Sequence, residues 1–395
     1  MLAFTFPGQG SQKPAMGEAW RDEPSWVLVD QATTATGRDV AALLLDADAD
    51  ELKLTQNAQL ATFVMSMVVL DAVRRSGVGT SHVAGHSLGE YSALVAAGVI
   101  DFATGCRLVA ERGAAMREAS LERVGTMVAV LGLDDELVED ACAEVRAGGG
   151  EVWLANANAP GQVVIAGSAD ALELAGTAAK ARGAKRVMPV AVSGAFHTPY
   201  MSAAQTRLDA ALATVTFVDA VVPVAANTDA ALHRAAGDWP DLLSRQLCSA
   251  VRWRQLLGTL VDDGVSVLVE LGPGNVLTGM AKRTAESART YSASTPQEVD
   301  KLVTELATIA PDERPPTDGE HLFAVERLVV SPAAGVFSPD ANLRDGHHVE
   351  IGDVLGRVGE HEVRSRFTGW LMGLLAHHGE RVTNRQPVAW LRTAP

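Results

Sequence analysis

The tightest constraint on this chain is the pentapeptide Gly85-His86-Ser87-Leu88-Gly89. It follows an apolar Val83-Ala84 and precedes an Ala-rich apolar stretch, Tyr91 to Ala97. Gly-x-Ser-x-Gly in that setting predicts strand, sharp turn and helix, with the serine hydroxyl held above the edge of a sheet. The glycines let neighbouring backbone approach closely. The N–H of Leu88 points into a helix start, where developing negative charge is stabilised. The plain alternative is an ordinary strand–helix turn; the flanking pattern favours a nucleophile.

The rest of the chain supplies the frame. Leu2–Phe6 reads as a strand ending in the tight turn Pro7-Gly8-Gln9-Gly10, and Ala58 to Arg75 as a long helix. This alternation predicts an α/β body with a mostly parallel sheet. From Thr126 the pattern changes to β-α-β-β-α-β: strand Thr126–Gly132, helix Asp134–Ala147, strands Glu151–Ala157 and Gln162–Ala166, helix Ala169–Arg182, strand Arg186–Val192. That order is a ferredoxin-like split motif inserted into the body. The body resumes with a strand at Val221–Ala225, one helical stretch around Trp239–Leu260, and a strand Val265–Leu271 ending in Gly272-Pro273-Gly274. The expected division is residues 1–123 and 193–308 for an α/β-hydrolase-like body, 124–192 for the subdomain, 309–321 for a linker, and 322–395 for a small all-β domain. Within the linker, the proline-rich polar run Ala310 to Glu320 is expected to be extended and exposed.

A serine hydroxyl needs a base. His82 and His86 lie too near Ser87 in sequence to fold back onto its exposed side. His197, on a loop after a strand in Ser193-Gly194-Ala195-Phe196-His197-Thr198-Pro199, is the better candidate, although a lone loop histidine is more often merely exposed. No acidic third member is evident: Asp241 and Asp262 read as solvated, and a backbone carbonyl could orient the imidazole instead.

At this point several motifs agree in order: Phe6-Pro7-Gly8-Gln9-Gly10-Ser11-Gln12, Gly85–Glu90, Glu111-Arg112-Gly113, Gly161–Gly167 and Val269–Gly274. Together they resemble the malonyl-CoA:acyl-carrier-protein transacylases, the acyltransferase family of fatty-acid and polyketide synthesis, over about residues 1–305. The resemblance implies Ser87 as nucleophile and His197 as general base. It implies the N–H groups of Gln9 and Leu88 as an oxyanion hole, and the main-chain carbonyl of Gln246 as the group that orients the histidine. Gln59 matches a pocket glutamine; Leu60 stands where the family usually has proline. Arg112, otherwise readable as a surface residue of a helix Phe102–Met116, matches the arginine that pairs with the free carboxylate of the extender unit. A planar guanidinium suits such a carboxylate. In the related polyketide enzymes, phenylalanine at the position of Phe196 goes with malonyl rather than methylmalonyl.

The implied chemistry is ping-pong transfer from malonyl-CoA, with release of coenzyme A, through a malonyl-serine to the phosphopantetheine thiol of acyl carrier protein. No cofactor and no metal are implied. The alternatives are transfer of methylmalonyl or another extender unit, a serine thioesterase or hydrolase, and a non-catalytic scaffold. The net charge, 33 − 48 = −15, argues against nucleic-acid binding and leaves local patches to attract anionic partners. Candidate patches are Lys180, Arg182, Lys185 and Arg186, and Lys282 with Arg283. No run reaches the ~18 apolar residues of a membrane span, the N-terminus is no signal peptide, and three scattered cysteines fit a reduced, cytoplasmic protein.

Residues 322–395 carry an internal repeat: Asp345 to Val358 aligns with His378 to Leu391, and Ser331 and Gly335 match Ser365 and Gly369. This region resembles a biotinyl/lipoyl carrier domain. The hairpin that should bear the modified lysine, Val358 to Ser365, has none, and no lysine follows Lys301. The expectation is a domain that carries neither biotin nor lipoate and serves oligomerisation or a protein partner, or persists as a relic. The paired histidines 347–348 and 377–378 read as exposed turn residues rather than a metal site.

Overall fold

Strand β1 (Leu2–Phe6) is buried along its whole length, as a central strand covered on both faces must be. The computed structural model describes residues 1–192, 194–308, 326–340, 342–344, 346–384 and 386–392. The expected linker, 309–321, lies outside the described residues. The chain divides into two compact units, Met1–Pro316 and Thr317–Pro395.

In the first unit the further strands are β2 (His82–Gly85), β3 (Thr126–Leu131), β4 (Val152–Ala159), β5 (Gln162–Gly167), β6 (Arg186–Pro189), β7 (Val224–Ala225), β8 (Leu232–His233), β9 (Val267–Leu271) and β10 (Arg289–Ala293). One sheet has the order β10-β9-β1-β2-β7-β8, parallel except for the β7–β8 hairpin. Alternation sorts the side chains between its faces. Leu2, Phe4 and Phe6 enter the larger core with helix Thr55–Arg75, whereas Ala3 and Ala84 face Trp253 and Leu257. The turns after β1 and β2 therefore meet at the carboxyl edge of the sheet, where the crevice of an open α/β sheet opens.

Strands β3 to β6 form a separate antiparallel sheet in the order β4-β5-β3-β6. Helices Asp135–Ala147 and Ala169–Ala181 supply Val138 and Leu172 to its own core, against Val130 and Ile165.

Several elements depart from the sequence reading; the helix expected at Phe102–Met116, for one, runs on to Glu122. The strand expected at Val221–Ala225 is only Val224–Ala225, because Pro223 has no N–H to give a ladder. Strand β6 stops at Pro189 instead of Val192. The single helical stretch Trp239–Leu260 is two helices, Trp239–Gln246 and Trp253–Asp262. The break has a partner: Val251 bridges Asn156 of β4, donating its N–H to Ala155 and accepting from Ala157, both at 2.9 Å.

The second unit contains β11 (Glu326–Val330), β12 (Gly335–Pro339), β13 (His348–Val349), β14 (Val354–Val358), β15 (His361–Arg364), β16 (Gly369–Leu374), β17 (Arg381–Val382) and β18 (Pro387–Arg392). Two sheets have the orders β11-β18-β16-β13 and β15-β14-β12-β17. The sequence repeat maps one order onto the other, strand for strand. Its turns repeat as well: Ser331 Oγ donates to Ala333 O at 2.6 Å, and Ser365 Oγ to Phe367 O at 2.7 Å. His347, His348, His377 and His378 are exposed. Among the described residues, no helix is long and apolar enough to cross a membrane.

Candidate active site

The turn after β2 is too crowded for anything but its own sequence. A Cβ on Gly85 would lie 1.8 Å from the carbonyl oxygen of Gly89, and one on Gly89 would lie 2.1 Å from that of Phe6. Between them Ser87 has φ of 52°, the left-handed region that costs a side-chain-bearing residue about 1–3 kcal/mol. The surroundings hold it there. Ser87 N donates to Asn227 Oδ1 at 2.7 Å, and Asn227 Nδ2 donates to Gly85 O at 2.7 Å. Helix Gly89–Ala96 starts directly behind the serine.

His197 reaches this serine from the loop after β6. That loop is folded by its own residues: Thr198 Oγ1 donates to Ala195 O at 2.6 Å, and Pro199 opens a short helical turn. The His197 ring is buried, with Nε2 2.7 Å from Ser87 Oγ and Nδ1 2.8 Å from the main-chain O of Gln246. A carbonyl only accepts, so Nδ1 carries the proton and Nε2 accepts from the serine hydroxyl. The break after Gln246 leaves that carbonyl without a helical partner, which is why it can face an imidazole. Burial pushes the His197 pKa down to about 3, with the Arg112 charge acting in the same direction.

Arg112, from helix Phe102–Glu122, is 1% exposed. Its Nη1 donates to Gln59 Oε1 at 2.7 Å, and its Nη2 donates to Gln246 Oε1 at 2.9 Å and to Ser87 Oγ at 3.1 Å. Its Nε finds no acceptor among the described residues. A buried cation with a spare donor beside a nucleophile is a seat for an anion. Burial lowers its pKa, while Tyr91 and Glu90 oppose that shift.

Ser87, His197, Arg112, Gln59 and Gln246, far apart along the chain, lie within hydrogen-bond reach of one another. The turn of Gln9 lies against the serine loop, since a Cβ on Gly8 would sit 2.6 Å from His86 O. Neither the Gln9 nor the Leu88 N–H is engaged by an acceptor among the described residues. Phe196 is buried in the main core, its ring against Gly194. His86 turns away, to Asn158 Oδ1 at 2.8 Å, and His82 pairs with Asp263. Of the basic candidates, Arg182 is paired with Glu144 and Arg283 bonds Gln162, while Lys180, Lys185, Arg186 and Lys282 are exposed.

The sequence reading missed two residues. Glu90 is buried and accepts from Asn227 N at 2.7 Å, from Asn227 Nδ2 at 3.2 Å and from Gln246 Nε2 at 2.5 Å. Asn227 joins it to the serine turn. A signal for Glu90 existed: it is the one charge in the apolar helix Gly89–Ala96. Asn227, in an ordinary Ala-Ala-Asn-Thr run, had none.

A family model for the acyl transferase domain matches residues 3–328. The malonyl CoA-acyl carrier protein transacylase of Bacillus subtilis strain 168 is 40% identical over 307 residues, covering 77% of this chain and 97% of that protein. The structure of an acyl-carrier-protein S-malonyltransferase from Burkholderia pseudomallei 1710b superposes with a TM-score of 0.73 at 40% identity, over 77% of this chain and 99% of the other. A malonyl-transacylase in complex with a type II PKS acyl-carrier protein matches with a TM-score of 0.74 at 38% identity, over 77% and 99%.

Proposed function

This chain belongs to the acyl transferase family, and we propose that it moves a malonyl group from malonyl-CoA to the phosphopantetheine thiol of an acyl carrier protein. One observation carries the reading. The Ser87 hydroxyl touches a neutral imidazole at 2.7 Å on one side and a buried guanidinium at 3.1 Å on the other. The first arms a nucleophile; the second selects an acyl group that ends in a carboxylate.

The steps follow. His197 Nε2 takes the serine proton as Oγ attacks the thioester carbonyl, and the N–H groups of Gln9 and Leu88 receive the oxyanion. The C–S bond breaks and coenzyme A leaves with the proton. The carrier thiol then gives its proton to His197, and its sulfur attacks the malonyl ester. The Ser87 ester bond breaks, and the serine recovers its proton. A depressed imidazole pKa keeps the base neutral at rest and returns the proton promptly. Phe196 limits the pocket to malonyl over methylmalonyl. We place the enzyme in the cytoplasm, in fatty-acid or polyketide synthesis.

We infer a finer architecture as well. An α/β-hydrolase-like body carries residues 124–192 as a ferredoxin-like subdomain, supported by the strand order β4-β5-β3-β6 and its two helices. The second unit is a biotinyl/lipoyl-like domain, supported by its two matched sheets. Its β14–β15 tip is Gly359-Glu360, with no lysine to modify.

Intact-mass analysis tests the reading. Malonyl-CoA adds one malonyl group to the wild type and none to Ser87→Ala, and acyl carrier protein removes it faster than water does. Absence of any label on the wild-type protein rejects the proposal.

A further inference from the structure

The buried carboxyl of Glu90 has no part in the steps above, yet it is bonded into the same side-chain cluster. Its Oε2 accepts from Gln246 Nε2 at 2.5 Å, and the other end of that amide, Oε1, accepts from Arg112 Nη2 at 2.9 Å. Gln246 therefore bridges a buried anion and a buried cation. All three side chains are shielded from water. With Glu90 ionised the two charges offset each other.

A malonyl carboxylate that enters to meet Arg112 brings a second anion to this one cation. With Glu90 ionised the enclosed set sums to one negative charge, and with Glu90 protonated it sums to zero. An uncompensated buried charge is what a protein interior tolerates least. We propose, on the premise that Arg112 seats the malonyl carboxylate, that Glu90 is the proton-accepting counter-ion of this cluster, and that malonyl binding drives it to its protonated form, drawing from solvent a proton wherever it was ionised. The bridging amide keeps its orientation, since Gln246 Nε2 also donates to Ser87 O at 2.8 Å, and a carboxyl oxygen of Glu90 can accept from that Nε2 in either protonation state.

The surroundings agree. Burial pushes the Glu90 pKa up to about 7, so its proton exchanges near neutrality. Arg112, from helix Phe102–Glu122, lowers its pKa, and Asp229, beyond β7, raises it. The Tyr91 phenol on its own helix is pushed up and stays neutral. His197, across Gln246, also stays neutral. Glu90 is thus the group of this set that changes charge near pH 7. Glu90 is a positioning and specificity residue here, since it acts through Gln246 and Arg112 rather than on the acyl group.

The test is calorimetry of malonyl-CoA binding to full-length Ser87→Ala, which cannot turn over, in buffers of different ionisation enthalpy. Linkage gives the expected numbers: uptake of about half a proton at pH 7, approaching one near pH 8, and affinity about tenfold weaker at pH 8 than at pH 6. Coenzyme A titrated alone lacks this uptake. Ser87→Ala with Glu90→Gln also loses it, and its malonyl-CoA affinity stays level over the same range. Malonyl-CoA heats that do not vary with buffer overturn the inference, as does unchanged uptake in the double variant. If the double variant fails to fold, the malonyl-CoA against coenzyme A comparison decides alone. Absence of malonyl-CoA binding in every buffer overturns the transferase reading itself, and the inference with it.

Discussion

Arg112→Ala separates what the guanidinium does for the acyl group from what it does for the fold. In the wild type its two Nη atoms are aimed at Gln59, Gln246 and Ser87, where a malonyl carboxylate would replace weaker neutral partners. A hydrogen bond to a charged group contributes about 1.5–3 kcal/mol. Two parallel ones, less what water recovers in the enlarged pocket, come to about 3–4 kcal/mol. At ~1.4 kcal/mol per tenfold, kcat/KM for malonyl-CoA should fall by two to three powers of ten. Acetyl-CoA, which has no carboxylate to lose, should change by less than about tenfold. The assay is the ratio of the two values from single-turnover acylation of Ser87. That ratio is insensitive to the fraction of enzyme that folds, which matters because Gln59 and Gln246 are left without their donor. If both substrates fall equally, or the ratio moves less than about threefold, Arg112 is a structural cation and the argument for a dicarboxylic acyl group fails.

The base makes its own prediction. Because the His197 pKa is lowered to about 3, its neutral form persists far into acid, so acylation at saturating malonyl-CoA should survive at about pH 5; an acid limb centred near the ordinary imidazole value of about 6.5 contradicts this. Gly85→Ala places a Cβ 1.8 Å from Gly89 O and should cost at least ~4 kcal/mol, read as a large fall in the denaturant midpoint. Phe196→Ser should raise methylmalonyl-CoA relative to malonyl-CoA about tenfold, the scale of one methyl group in an apolar pocket, in a competition assay. The purified protein should give no signal with labelled avidin after incubation with a biotin ligase, ATP and biotin.

Much of this site could be read from the chain because its constraints are local. A Gly-x-Ser-x-Gly turn needs its glycines within five residues, and an Ala-rich run beside it announces the helix. Pairings across the chain were legible only through resemblance: nothing near Arg112 says that it is buried rather than on a surface like Arg107. The helix from Trp239 failed for the same reason. Its local pattern is helical through Leu260, and what interrupts it is Asn156, almost a hundred residues away. A lone acid in a helix's first turn, as Glu90 is, normally pairs with the macrodipole in water, which hides its burial from a local reading. Here it is enclosed, and its partners, Asn227 and Gln246, lie far along the chain.

That interruption couples two parts of the molecule. The stretch that ends the Trp239 helix is pinned to β4, an outer strand of the small antiparallel sheet. The same ending frees the oxygen that holds the His197 ring. The carbonyl that orients the base and the edge of the small sheet are therefore joined by six residues of backbone, so a substitution that loosens Val251 from Asn156 also loosens the hold on the His197 ring.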